Sequence, residues 1–271
     1  PVDTLGGSIS YTGGSYAQHR VAADVYGALT NDKKLLARFN AAYAHKGTFQ
    51  DVGFSKSVFI APSLQYKPNE RLDVLLEAEL FDSEATNPLM IFLNRGRQLF
   101  ARTPDELQFD YNKSYTADDV TAKTPMTNVR GVVNYKISDN WTSSTNLNYN
   151  RRKSDGYFQY VMYVGGINDT IISRYAGKQH SVSDVINVQQ NFVGDFHIAG
   201  MRNRLLVGLD FLSQRMENHH SPYVIIDSLN TSVADPRYDR FNAAAIDAAI
   251  ASSPAAPTDN RTLTQIYGAY A

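Results

Sequence analysis

The sequence predicts an all-β protein of long antiparallel strands, and three observations carry that prediction. Apolar and polar residues alternate with period two through most of the 271 residues. Clusters of Gly, Pro, Asn, Asp and Ser punctuate the alternating runs. The connections also follow a parity: short after the second, fourth, sixth and eighth runs, very long after the fifth, seventh and ninth. Long connections gathered at one end suit a transmembrane antiparallel β-barrel of up-and-down topology, with short turns on one side and long extracellular loops on the other.

The elements follow in order. Leu5, Gly7, Ile9 and Tyr11 form one stripe before Gly13-Gly14-Ser15. Val21, Ala23, Val25 and Leu29 form the next, and the break at Thr30-Asn31-Asp32-Lys33 leads to Leu35, Ala37, Phe39, Ala41 and Tyr43. A polar patch from Gln50 to Lys56 precedes Val58, Ile60, Leu64 and Tyr66. Lys67-Pro68-Asn69-Glu70 turns the chain into Leu72, Val74, Leu76, Ala78 and Leu80, with Arg71, Asp73, Glu77 and Glu79 between them. An irregular segment from Asp82 to Thr124 follows. Val129, Val133, Tyr135 and Ile137 then lead through Ser138-Asp139-Asn140 to Trp141, Leu147 and Tyr149, opposed by Asn146, Asn148, Asn150 and Arg152. A second irregular stretch, Lys153 to His180, contains a small hairpin. Val182 to Gln214 is a long hairpin turning at Gly200-Met201-Arg202-Asn203. A third long segment, Arg215 to Arg261, holds the helix-like AAAIDAAIA, and Leu263, Gln265, Tyr267 and Ala269 close the chain. That makes about ten strands. Both ends suggest a piece of a longer chain.

Composition removes several function classes. Lys and Arg total 26 against 27 Asp and Glu, so there is no basic excess for nucleic acid. Cysteine is absent, which excludes disulfides and thiol nucleophiles. Mean hydropathy is −0.35, and no apolar run is long enough for a transmembrane helix. Membrane strands satisfy that constraint, because only every second residue meets lipid.

Alternation alone leaves two placements for the apolar stripe Leu205, Val207, Leu209 and Phe211. In a soluble sandwich it packs a core. In a membrane barrel it meets lipid, while Asp195, His197, Arg204 and Asp210 face a wet lumen. Three cues favour lipid: strand length, aromatic residues near strand ends (Tyr66, Tyr135, Trp141), and a mixed-sign polar stripe that includes Arg38, Asn40, Glu77 and Glu79.

Five segments also carry a resemblance. GGSISYTGGSYAQHRVAADVYGALTNDKKLLARFNAAY resembles the first three barrel strands of TonB-dependent ferric-siderophore receptors. SVFIAPSLQYKPNERLDVLLEAEL resembles their next hairpin, and DFHIAGMRNRLLVGLDF a later one. Asp235-Pro236-Arg237-Tyr238 and the terminal Gln265-Ile266-Tyr267-Gly268-Ala269-Tyr270 are similar to the segment entering the following strand. The resemblance implies about ten strands of a 22-stranded barrel, residues 1–271 being its N-terminal part. The plug and TonB box would lie upstream and further strands downstream. It implies a bacterial outer-membrane location, a ferric siderophore as ligand, and energy coupling to the TonB–ExbB–ExbD complex through the plug. Iron would arrive in the ligand, so no resident cofactor is expected. Cobalamin, haem or a glycan are alternative cargoes, and a plug-less porin or an outer-membrane enzyme alternative classes.

Recognition in such receptors calls for aromatic faces and cations on long extracellular loops. Asp82 to Thr124 offers Phe92, Arg95, Arg97, Phe100, Arg102, Phe109, Tyr111 and Tyr115. The next long segment offers Tyr157, Tyr160, Tyr163, Arg174 and Tyr175. The competing role for all of these is packing the loops on themselves. His219 and His220 point to opposite strand faces and lack a third ligand, so no metal site is expected. Glu77 and Glu79 read as lumen lining, no Ser-His constellation stands out for catalysis, and Asn168-Asp169-Thr170 reads as a chance glycosylation match.

Overall fold

The computed structural model describes residues 2–87, 89–94, 96–166 and 169–271. Thirteen strands form one sheet: β1 (Gly6–Gly14), β2 (Gln18–Ala28), β3 (Leu35–Gly47), β4 (Phe54–Asn69), β5 (Leu72–Thr86), β6 (Met90–Phe92), β7 (Thr121–Lys123), β8 (Met126–Lys136), β9 (Trp141–Gly165), β10 (Ile171–Ile198), β11 (Met201–His220), β12 (Val224–Asn230) and β13 (Thr258–Tyr270). A helix, α1 (Ala243–Ala251), lies between the last two. The main path is an antiparallel meander in chain order, with β7 and β8 sharing one position between β5 and β9. Only short β6, pairing parallel to β9, and β12, pairing with β10, stand off it.

Register settles which face is which. Directly paired residues share a face, so Ser8, Asp24, Asn40 and Ala61 form one cross-strand row, and Ser63, Glu77, Arg130, Asn148 and Asn187 another. The first row and Ser63, Glu77 and Arg130 of the second line a concavity of about 600 Å³ over β1–β5 and β8. Two ion pairs lie within it: the Arg38 Nε donates to Asp24 at 2.8 Å, and Arg130 lies 3.7 Å from Glu77. The opposite, convex face carries Ile9, Val25, Phe39, Leu64, Leu76, Leu147, Leu205, Val207 and Leu209, all with large exposed area. Soluble proteins rarely expose contiguous apolar patches beyond a few hundred Å². The apolar stripe is therefore on the outside, not folded into a core, and the Leu205–Phe211 stripe lies with it.

Aromatic side chains mark two levels on the convex face. Tyr66, Tyr135, Trp141 and Phe196 stand near the short-turn end on β4, β8, β9 and β10, with Trp141 stacked on Phe196 at 6.1 Å. Traced through the registers, this line steps six residues along the strands while crossing four strand spacings. At ~3.4 Å per residue and ~4.8 Å between strands, that slope is a tilt of about 45°. Outer-membrane strands tilt by roughly that angle. The second level passes through Tyr11, Tyr43 and Tyr149. Trp141 and Tyr149 are eight residues apart on β9, a height of about 20 Å after tilting, which suits a lipid-facing band.

Four boundaries differ from the sequence reading, the first being that the segment from Asp82 to Thr124 opens as strand, since β5 runs on to Thr86, and holds β6 and β7. The stretch Lys153 to His180 is not irregular; β9 and β10 run on to Gly165 and from Ile171 as an extended hairpin. The seventh connection is thus short, standing on two long strands. The turn between β10 and β11 is Ala199-Gly200, not Gly200 to Asn203: Ile198 pairs with Met201, and both turn residues have positive φ (52° and 78°), as a two-residue hairpin requires. The segment from Arg215 opens as strand, since β11 continues to His220, and it holds β12 as well as the expected helix.

Candidate functional site

The connections after β5 and β11 are too long to stay ordered without cores of their own, and they build two on the upper β9–β10 hairpin. Tyr115, Val161, Tyr163, Ile172 and Leu229 form one, with Leu107, Phe109 and Tyr238 against it. Val120, Ala176, Phe241 and Ile246 form the other. α1 enters the second through Ile246, and the Asn242 side chain caps it by accepting from the Ala245 N–H at 2.8 Å.

Three polar groups tie this cap together, Arg174 and Asp169 buried and Asp51 exposed. Arg174 on β10 is 1% exposed. Its Nε and Nη2 grip the Asp227 carboxylate, while Nη1 and Nη2 also donate to the carbonyls of Tyr238 and Arg237. The guanidinium packs on the Phe241 ring at 4.6 Å. Asp169, fully buried, accepts from the N–H groups of Phe100 and Ala101 and from Arg97. Burial works to raise its pKa, but those three donors outweigh it and hold the carboxyl below its ordinary value. Asp51 accepts from the Ser114 N–H at 2.8 Å and the Tyr238 hydroxyl at 2.7 Å, joining three connections through one carboxylate. Burial pushes the hydroxyls of Tyr115 and Tyr238 up to about 12, so both stay neutral, and Tyr238 keeps the proton it donates to Asp51.

The structure sorts the described sequence candidates into four groups. Tyr115 and Arg174 are interior to the cap, as is Tyr163. Arg97 is engaged by Asp169, and Tyr157 donates to Asp247 at 3.1 Å. Phe100 and Tyr111 are exposed on the loop surface. Arg95 and Asn168 lie outside the described residues. Tyr160 and Phe92 belong together. Register is continuous from Ile172 to Gly194, so Tyr160 and Tyr175 share the face of Asn148 and Asn187, the concave one. Tyr160 stacks on Tyr175 at 4.6 Å and meets Phe92 and Tyr223, each at 5.3 Å. This aromatic platform, half open to solvent, stands on the upper β9–β10 hairpin, above the polar part of the same strand face. It offers π-faces to a flat or cationic ligand.

Sequence reading missed Tyr223, Asp51 and Asp227. Tyr223 follows Ser221-Pro222 in a segment without periodicity, and the two carboxylates carried no local signal because their partners lie far along the chain. Among the described residues no group of three or more His, Asp and Glu could hold a metal ion.

No family model matches the chain. A curated relative, the metal-pseudopaline receptor CntO of Pseudomonas aeruginosa, is 22% identical over 222 residues, covering 80% of this chain and 29% of the relative. Among solved structures, the ferripyoverdine receptor of the outer membrane of Pseudomonas aeruginosa, bound to ferripyoverdine, superposes with a TM-score of 0.74 at 16% identity, covering 100% of this chain and 35% of that one. The ferric-catecholate import receptor Fiu of E. coli K12 in its open form gives 0.73 at 16% identity, over 98% and 40% of the two chains. BauA, the ferric preacinetobactin receptor of Acinetobacter baumannii, gives 0.72 at 14%, over 99% and 38%. This chain thus has the fold of part of an outer-membrane receptor barrel, and spans about a third of the length of these proteins.

Proposed function

We propose that residues 1–271 form the N-terminal part of the barrel wall of a Gram-negative outer-membrane receptor that imports a ferric siderophore with energy from TonB. The observation that carries this reading is a strand face that is polar in its lower part and carries an aromatic platform on the upper β9–β10 hairpin. Lipid contacts the convex apolar face. The chelate docks from outside on Tyr160, Tyr175, Tyr223 and Phe92, with Phe100 and Tyr111 on the loop surface at its approach. The iron is cargo held by the ligand, and the wall makes and breaks no bond in it. Energy coupling belongs to the TonB–ExbB–ExbD complex acting through a plug.

Similarity to a metal-pseudopaline receptor favours one second reading, in which the chelated metal is other than iron. A single growth experiment separates the two. Cells lacking the full-length gene are starved of iron or of zinc and offered single chelates. The first reading expects rescue by the restored gene on one ferric chelate. Rescue confined to another metal's chelate, or to cobalamin or haem, replaces the iron assignment.

A further inference from the structure

His219 and His220 diverge, as neighbours on a strand must, but register gives His219 a different partner. It pairs directly with His180 across β10 and β11. Asp155 pairs with His180 on one side, and Asp259 with His219 on the other. Asp155, His180, His219 and Asp259 therefore form one unbroken row across β9, β10, β11 and β13. Pairing is continuous from this row down to Leu147, Ile186, Phe211 and Tyr267, so the row lies on the convex face, beyond the upper aromatic level.

Directly opposed residues on antiparallel strands have Cβ atoms ~4.5–5.5 Å apart, which lets two imidazoles reach one ion. The two rings are 6.1 Å apart between centres and tilted by 35°. Imidazoles held ~2.1 Å from one tetrahedral ion have ring centres about 5 Å apart, and side-chain rotation supplies that closure of roughly 1 Å. Each ring also faces a carboxylate. Asp259 Oδ1 lies 3.0 Å from the His219 Nδ1, and Asp155 Oδ1 3.5 Å from the His180 Nδ1. Neither Nε2 has a hydrogen-bond partner among the described residues. A carboxylate on one imidazole nitrogen fixes the ring and leaves the other nitrogen as the metal ligand. The His180 and His219 side chains are 46% and 53% exposed, so an ion reaches them without backbone movement.

We infer that His180 and His219 bind one late transition-metal ion, of the Zn2+, Ni2+ and Cu2+ class, through their Nε2 atoms, with Asp155 and Asp259 orienting the rings. The carboxylates stand at the outer ends of the row, so the protein supplies two ligands and water completes the coordination. Imidazole nitrogen selects these ions over Mg2+ and Ca2+, which take oxygen ligands. The ion joins β10 to β11 at the base of the connection that carries β12 and α1. The row faces away from the concave side and is separate from the aromatic platform. The inference rests on strand register and not on the cargo, so growth on chelates and metal binding at this row fail separately.

The test uses full-length receptor in detergent, free of tag histidines and stripped of metal, titrated calorimetrically with Zn2+, Cu2+ or Mg2+ at neutral pH. The parent should bind one more equivalent of Zn2+ and of Cu2+ than the His180→Gln/His219→Gln variant, with Cu2+ the tighter. Electron paramagnetic resonance of that additional Cu2+ should show two imidazole nitrogens. Asp259→Asn should keep the equivalent but weaken it by ~10-fold, the lower end for losing an orienting partner. Unchanged affinity there would contradict the orienting role. Equal stoichiometry in parent and double variant overturns the inference. So does Mg2+ bound as tightly as Zn2+, which would mark a carboxylate site. If the double variant fails to fold, His219→Gln alone decides: loss of the two-nitrogen Cu2+ signal is expected, and its retention contradicts the proposal.

Discussion

Replacing Arg174 by alanine should open the loop cap while leaving the strands below intact. The side chain is 1% exposed and Asp227 16%, so the pair is largely shielded from water. Removing one member of such a pair leaves a poorly solvated carboxylate, at a cost of ~3–5 kcal/mol. The Tyr238 and Arg237 carbonyls lose their donors as well, and the Phe241 ring loses its cation. A local cost of that size raises the opening equilibrium of the segment from Asn230 through α1 by roughly two to three and a half orders of magnitude. Amide hydrogen exchange on the full-length receptor reads this directly: residues 230–251 should lose protection while β2–β5 keep theirs. Asp227→Asn in the Arg174→Ala background should recover part of it, because the orphaned charge is gone. Unchanged protection across 230–251 in Arg174→Ala would refute the view that this pair holds the cap.

Other outcomes follow from the same structure. Val207→Arg on the convex face, near mid-height between the two aromatic levels, should cost ~2–4 kcal/mol in bilayer unfolding experiments, whereas Gln189→Arg on the concave face should change little; equal effects would contradict the assignment of faces. Tyr160→Ala should weaken chelate binding about 2- to 12-fold, the ~0.5–1.5 kcal/mol of a stacked aromatic contact, with the protein still folded; unaltered affinity removes the platform from the site. The Asp169 carboxyl is held below its ordinary value, so its share of cap stability is present above pH ~4 and is lost as pH falls through the lowered folded-state value. Proteolysis of the 96–104 segment should therefore rise on acidification below about pH 4; an identical acid step in Asp169→Asn would assign it to another group.

Much of the strand scaffold was legible because one face of each strand meets lipid and the other a polar space, which forces a clean alternation. Leu205, Val207, Leu209 and Phe211 show it, and so do the short turns near Pro68 and Asp139. The upper halves of β9 and β10 were not legible, for a physical reason. There one face is buried under the loops (Val161, Tyr163, Ile172) and the other carries Tyr160 and Tyr175, so both faces are apolar and the period vanishes. The β10–β11 turn was misplaced because Ala199 occupies a positive-φ position usually taken by Gly or Asn. Within the candidate site, residue type identified aromatic and cationic side chains but not their direction. Arg174 and Tyr160 looked equivalent in sequence; parity and long-range partners send one into the cap and leave the other on the concave face.

The central claim is that the apolar face of this sheet meets lipid and the polar face water. Residues 1–271 contain no cysteine, so within them each introduced cysteine is the only labelling site, and any cysteine elsewhere in the full-length receptor is first replaced by serine. Spin labels placed one at a time from Leu205 to Phe211 in the full-length receptor in bilayers report collisions with oxygen, which partitions into lipid, and with a water-soluble nickel chelate. The account predicts a period-two pattern: oxygen dominates at 205, 207, 209 and 211, and the chelate at 204, 208 and 210. Chelate access at the first set, or labels inaccessible to both reagents there, would mean that the stripe is not a lipid-facing surface.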